Sequence, residues 1–181
     1  MGRHPRVDGI GYALGMTPEA LRRLLDYHYW ARDRLLDAVE RLTPDQFRRD
    51  LGNSFGSVRD TLVHMVSAEW AWCSRWEGEH PSGHLEVTDF GTVQDIRSRW
   101  ATEEARVRRY VDRLGPDGIN RVLGYAHFNG APLESVFWQM LQHVVNHATF
   151  HRGQVTTMLR QLGVRSPRSQ DMIVFYRDVR R

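Results

Sequence analysis

The stretch "LESVFWQMLQHVVNHATFHRGQVTTMLRQLG", residues 133–163, decides the fold. At about 100° per residue, with Phe137 at zero, Leu141, Val144, Ala148, Val155, Leu159 and Leu162 fall within roughly 40° of one direction. A stripe of that length is an amphipathic helix that must bury one face against other elements. The helix is expected to start near Leu133 and run to Leu162. Gly163 supplies its stop, because a glycine just past the last turn readily takes the left-handed conformation that closes a helix. Three histidines, His143, His147 and His151, recur along it every four residues. They lie about 120°, 80° and 40° from the centre of the apolar stripe, which grades them from solvent toward the core.

Upstream, "NRVLGYAHFNGAPLE" (120–134) has some alternation, and Asn129-Gly130 is a hairpin turn signal. A short β-hairpin is expected there. Before it a helix runs from about Thr92 to Leu114 and stops at Gly115-Pro116. "SVRDTLVHMVSAEWAWCSRWEG" (57–78) is another, with Ser57 and Asp60 resembling a capping box and Val58, Leu62, Met65, Val66, Cys73 and Trp76 as its stripe. The first helix, "TPEALRRLLDYHYWARDRLLDAVERLTP" (17–44), opens on Thr17 as N-cap, Pro18 at the first helical position and Glu19. Its apolar face carries Leu21, Leu24, Leu25, His28, Leu35, Val39 and Leu42, and it is expected to end near Thr43-Pro44.

The link over 45–56 and the loop holding His80, Pro81, Gly83 and His84 read as irregular. The tail "SQDMIVFYRDVRR" reads as a short strand or a fifth helix. Four long amphipathic segments joined by loops predict an all-α protein, a four-helix bundle with a short β-hairpin insertion before the last long helix. Residues 1–16 are expected to be an irregular N-terminal arm, and 17–181 a single domain.

Composition narrows the function classes. Six Trp, six Tyr and seven Phe, with 41% apolar residues, supply a sizeable core. All 25 basic residues are Arg, yet the net charge is only +3 and no basic stripe alternates with aromatics, which argues against a nucleic-acid partner. No apolar run approaches membrane-spanning length, and the start lacks a long apolar stretch before a cleavage site, so a cytoplasmic protein without a membrane partner is expected. Cys73 is the single cysteine, which excludes an intramolecular disulfide and a Cys-rich zinc site. A metal would have to be held by His and carboxylate. Neither a P-loop nor a G-x-G-x-x-G is present.

Residues four apart on a helix share a face, so His147 and His151 have the spacing to converge on one ion. The same spacing also suits two partly exposed, hydrogen-bonded histidines. A third ligand must come from another element. Periodicity favours His28, within the stripe of the first helix, whereas His64 lies roughly opposite the Leu62 stripe beside Ala68 and Ala71. A satisfied core histidine is the competing reading of His28.

"TLVHMVSAEWAW", "HVVNHATFHRGQ", "LRQLG" and "DYHYWARDRLL" together closely resemble the DinB family of small bacterial metal-binding helical bundles, from about Thr17 to Gly163. The resemblance implies His64, His147 and His151 as metal ligands, a homodimer and a stress-related role. It conflicts with the wheel of the 57–78 helix. Either that helix is rotated, or it packs a second apolar face, with Trp70, Trp72 and Trp76, on another subunit; the competing reading makes these core tryptophans.

Zn²⁺ is the first expectation for the metal, with Ni²⁺, Fe²⁺ and Mn²⁺ compatible with imidazole. Some relatives resemble transferases or isomerases that use low-molecular-weight thiols such as mycothiol or bacillithiol. That implies a metal-dependent thiol S-transferase acting on a small molecule. Metal-assisted hydrolysis and a non-enzymatic metal-binding or interaction protein are the alternatives. The zinc-peptidase motif H-E-x-x-H is not met, because Ala148 follows His147. Glu69 is a candidate base or orienting group, Arg152 a candidate anchor for an anionic substrate, and His28 a further candidate, each set against a structural ion pair or core role. His143 is expected to be exposed or to support the site from behind.

Overall fold

The computed structural model describes residues 15–179, so the arm expected over 1–16 falls almost wholly outside the described residues. The elements, in chain order, are helices α1 (Pro18–Val39), α2 (Pro44–Arg48) and α3 (Val58–Trp76), a 3₁₀ turn (Val87–Asp89), and helix α4 (Val93–Ile119). Strands β1 (Val122–Ala126) and β2 (Pro132–Val136) follow, then α5 (Phe137–Gln161) and α6 (Met172–Asp178). The four long helices form the bundle. Helix α1 packs between α4 and α5, and α3 packs between the same two from the opposite side, so α1 and α3 face each other across the bundle axis. Leu21, Leu35, Leu62, Ile96, Trp100, Phe137 and Leu159 are fully buried in the shared core.

The caps follow the sequence chemistry. Thr17 accepts from the Ala20 N–H at 3.2 Å, and Thr92 accepts from Asp95 N–H while the Asp95 carboxylate accepts from Thr92 N–H at 2.8 Å. Ser57 makes only half of the expected box. It accepts from Asp60 N–H at 3.1 Å, but the Asp60 carboxylate pairs with Arg59 instead.

Three boundaries differ from expectation. Helix α1 ends at Val39, and Thr43-Pro44 begins something rather than ending it. Thr43 and Gln46 close a capping box that nucleates the short α2, with proline at its first turn. Helix α5 begins at Phe137 because residues 132–136 are held in the hairpin, Val136 opposite Val122 and Pro132 opposite Ala126. The turn falls where Asn129-Gly130 predicts it, with Gly130 at φ +81°. Helix α4 continues to Ile119 past a kink at Gly115, whose φ of 64° and ψ of −178° belong to a region essentially reserved for glycine.

The tail resolves as helix. Phe175 of α6 packs edge-on against Tyr27 and Trp30 of α1, with ring centroids 5.9 and 5.5 Å apart. Among the described residues no helix is long and apolar enough to cross a membrane.

Helix α3 corrects the wheel. Thirteen of its nineteen residues are buried, because α4, α5, α2, β1 and the 3₁₀ turn enclose it on most sides. A single apolar stripe therefore does not mark its only buried face, and the His64 side is turned to α5. Trp76 is a core residue against Tyr110 and Phe137, and Trp72 is half-buried beneath Tyr125 of the hairpin. Of the three tryptophans only Trp76 is buried; Trp70 and Trp72 stay partly exposed.

Candidate metal centre

Helices α3 and α5 bring His64, His147 and His151 together, with one nitrogen of each within 4.8 Å of the others. His147 Nε2 lies 3.0 Å from His64 Nε2 and 3.1 Å from His151 Nε2. Three nitrogens on a tetrahedral Zn²⁺ at the usual 2.0–2.1 Å would stand about 3.3 Å apart. The two distances to His147 are close to that spacing, and the third pair lies within 4.8 Å. Without an ion, such proximity allows at most one proton between each pair of facing nitrogens, since two N–H groups cannot point at each other.

The exposure order along α5 matches the wheel. His151 is buried at 5%, His147 is half-buried and His143 is exposed. His143 turns toward the hairpin, its ring 5.5 Å from Trp72, beside a cleft of about 240 Å³ that Tyr125 and Met140 also line.

One supporting contact gives His151 its orientation. Its Nδ1 lies 2.7 Å from Gln154 Oε1, and with Nδ1–H donating to that amide oxygen the Nε2 lone pair faces the other two imidazoles. Phe55 stacks on His64 at 3.9 Å between centroids and meets His151 edge-on at 5.4 Å, forming an apolar wall. His84, from the loop after α3, stands 5.5 Å from His64, with its Nδ1 3.0 Å from Ser67 Oγ.

Burial, and then the proximity of His151 and the other imidazoles, lowers His147 to about 3 and His64 to about 4. Both are therefore neutral at pH 7, the form a metal ligand requires. The unfolded chain takes up these protons near pH 6.5 while the folded chain refuses them, so stability is lost as pH falls below about 6.5 toward 4 and 3. Linkage alone gives about 2 kcal/mol per ring between pH 7.5 and 5. Halved because both rings are partly solvent-screened, the expected loss in metal-free protein is about 1 kcal/mol per ring, or roughly 4–8 °C in Tm for the two. Thermal melts at both pH values check this, with a His64→Gln, His147→Gln variant expected to show a shallower fall.

The remaining candidates lie elsewhere. His28 does not complete the triad, which corrects the wheel's choice of third ligand. Its Nε2 is 2.9 Å from Glu69 Oε2, and both side chains are almost fully buried between α1 and α3. Glu69 also accepts from Tyr29 Oη and Trp100 Nε1, each at 2.7 Å, so its two oxygens are spent on core donors. Arg152 points away from the triad toward α1, donating to Tyr27 Oη at 3.1 Å and Thr149 Oγ1 at 2.7 Å.

The sequence model of the DinB family matches residues 16–174. The chain belongs to the DinB family. Protein DinB of Bacillus subtilis (strain 168) is 23% identical over 151 residues, covering 80% of this chain and 87% of the relative. A DinB-like protein from Bacillus cereus ATCC 10987, known from its crystal structure, is 18% identical at a TM-score of 0.68, covering 86% of this chain and 99% of that one; this likeness concerns the fold.

In this DinB chain the three histidines that the resemblance singles out are the ones the fold gathers. Sequence reasoning missed Gln154, Phe55 and His84. Gln154 had a legible signal, since it sits three residues after His151 on the same face. Phe55 and His84 sit in loops, where periodicity says nothing about which side chains meet.

Proposed function

We propose that this DinB-family protein binds a divalent ion, Zn²⁺ first, through His64, His147 and His151, and is a metal-dependent S-transferase using a low-molecular-weight thiol. The observation that supports the site is the convergence of three imidazole nitrogens within 4.8 Å of one another, two of the pairs close to the separation a tetrahedral ion imposes. Among the described residues no fourth His, Cys, Asp or Glu joins the group, which favours a position left for an outside ligand over a closed structural site. Bound there, the ion would act as a Lewis acid that lowers the pKa of a thiol or water and polarises a substrate oxygen.

The chain's own residues set the rest. Gln154 orients His151, and Phe55 shields His64 from water on one side. His84, exposed at the site's edge, is placed to accept a proton from an incoming thiol. The attacking sulfur must come from a cosubstrate. Cys73 is fully buried, and burial pushes its thiol up to about 12, so it offers no thiolate at neutral pH. A homodimer, as the resemblance implies, belongs to the same proposal.

The test is elemental analysis of untagged protein. Native protein is expected to carry about one divalent ion per chain, and a His147→Ala, His151→Ala variant less than a tenth of that. Metal-loaded protein is then offered electrophiles with and without bacterial thiols. Conjugation that requires thiol supports the transferase, turnover without thiol moves the assignment to metal-assisted hydrolysis, and native protein that cannot be loaded with any divalent ion overturns both.

A further inference from the structure

On the α1 side of α5, away from the imidazoles, a cavity of about 640 Å³ opens between that helix and the segment leading into α6. Arg152 lines it while being only 2% exposed. Its Nη2 is engaged by Tyr27 and Thr149, but its Nη1 is buried without any partner, and no carboxylate pairs with this guanidinium among the described residues. Gln170, on the opposite wall, carries a second unmet donor: its main-chain carbonyl accepts from Tyr27 Oη at 3.1 Å, while its side-chain Nε2 is buried and unpartnered.

Two buried donors without acceptors on one cavity are costly, and a buried cation without a counter-ion more so. Such groups persist where something outside the chain satisfies them. Charge agrees: Arg160 also lines the cavity, as does Arg168, which pairs with Asp37 outside it at 3.6 Å, and the one carboxylate in the lining, Asp171, already accepts from Ser169 Oγ at 2.9 Å. Every unmet group is a donor, so the missing partner is an acceptor.

We propose that this cavity is a binding site for a small oxyanion, a carboxylate or phosphate group on a soluble metabolite, received by Arg152 and Gln170 with Arg160 at the mouth. Guanidinium and amide N–H groups suit several oxygens at once. The site is separate from the histidine triad although Arg152 directly follows His151, because the two side chains leave α5 in different directions.

The experiment titrates the full chain with sodium phosphate or sodium succinate at constant ionic strength, reading binding by calorimetry and Tm, with chloride as control. The native protein is expected to show saturable binding of at least one of the two at millimolar concentration or tighter, and which one binds assigns the head group. Arg152→Gln is expected to abolish it. Because that variant removes buried hydrogen bonds and risks folding, Arg160→Ala, on an exposed side chain, is the second test and is expected to weaken binding about 5–10-fold. The His147→Ala, His151→Ala variant should bind the anion like native protein. Failure of the native protein to bind either anion saturably, or unchanged binding in both arginine variants, overturns the proposal, and neither result touches the metal proposal.

Discussion

Replacing Glu69 by alanine is expected to cost about 3–5 kcal/mol, because removing one member of a buried, hydrogen-bonded charge cluster strands its partners. Three of these are donors or rings from two other helices: His28 and Tyr29 from α1 and Trp100 from α4, all within 2.9 Å of a carboxylate oxygen. Burial works to raise the pKa of Glu69, but His28 and the three hydrogen bonds outweigh it and hold the carboxyl below its ordinary range. Burial, and then the same carboxylate, push the Tyr29 phenol well above its usual value, so Tyr29 remains a donor. In a domain of this size the loss corresponds to roughly 6–20 °C in Tm. Urea unfolding of metal-free protein measures it, with Glu69→Gln expected to recover part of the loss by keeping one acceptor. A cost below about 1 kcal/mol would show that the cluster does not tie α1, α3 and α4 together.

The second large effect is on metal affinity and should be graded by position. His64→Ala removes a ligand from the helix that contributes only one, and is expected to weaken Zn²⁺ binding on the order of 10³-fold. Gln154→Ala leaves all three imidazoles but frees the His151 ring, with an expected loss of 10–100-fold. His143→Ala should change affinity less than about threefold, since its ring centroid lies 5.9 Å from that of His147 and its side chain is exposed. Competition titration against a chromophoric chelator at pH 7.5 gives all three values. Equal losses for His64 and His143 would mean that the ion sits nearer the hairpin than the triad.

The exposure gradient of His143, His147 and His151 was legible because α5 shows one continuous stripe, and a wheel is reliable when only one face is buried. The wheel failed for His64 for the opposite reason. Helix α3 is enclosed by several elements, so residues off its main stripe are buried too, and the angle from Leu62 no longer reports exposure. His28 shows the complementary error. Its place in an apolar stripe correctly predicted burial, but the group it meets is Glu69, from a helix on the far side of the bundle axis.

By itself the sequence determined the number of long helices, the N-caps Thr17 and Ser57, the hairpin turn and the pair of imidazoles on α5, because these depend on periodicity and on contacts within a few residues. Motif resemblance added His64. Only the tertiary structure decided which face of α3 meets α5, that Glu69 and His28 belong to the core rather than to the imidazole cluster, and that Arg152 opens onto a separate cavity. These depend on how four helices pack around a common axis, where side chains tens of residues apart become neighbours. The physical reason is that burial is a property of the whole bundle: a helix wheel records where a side chain leaves its own helix, and packing decides what it finds there.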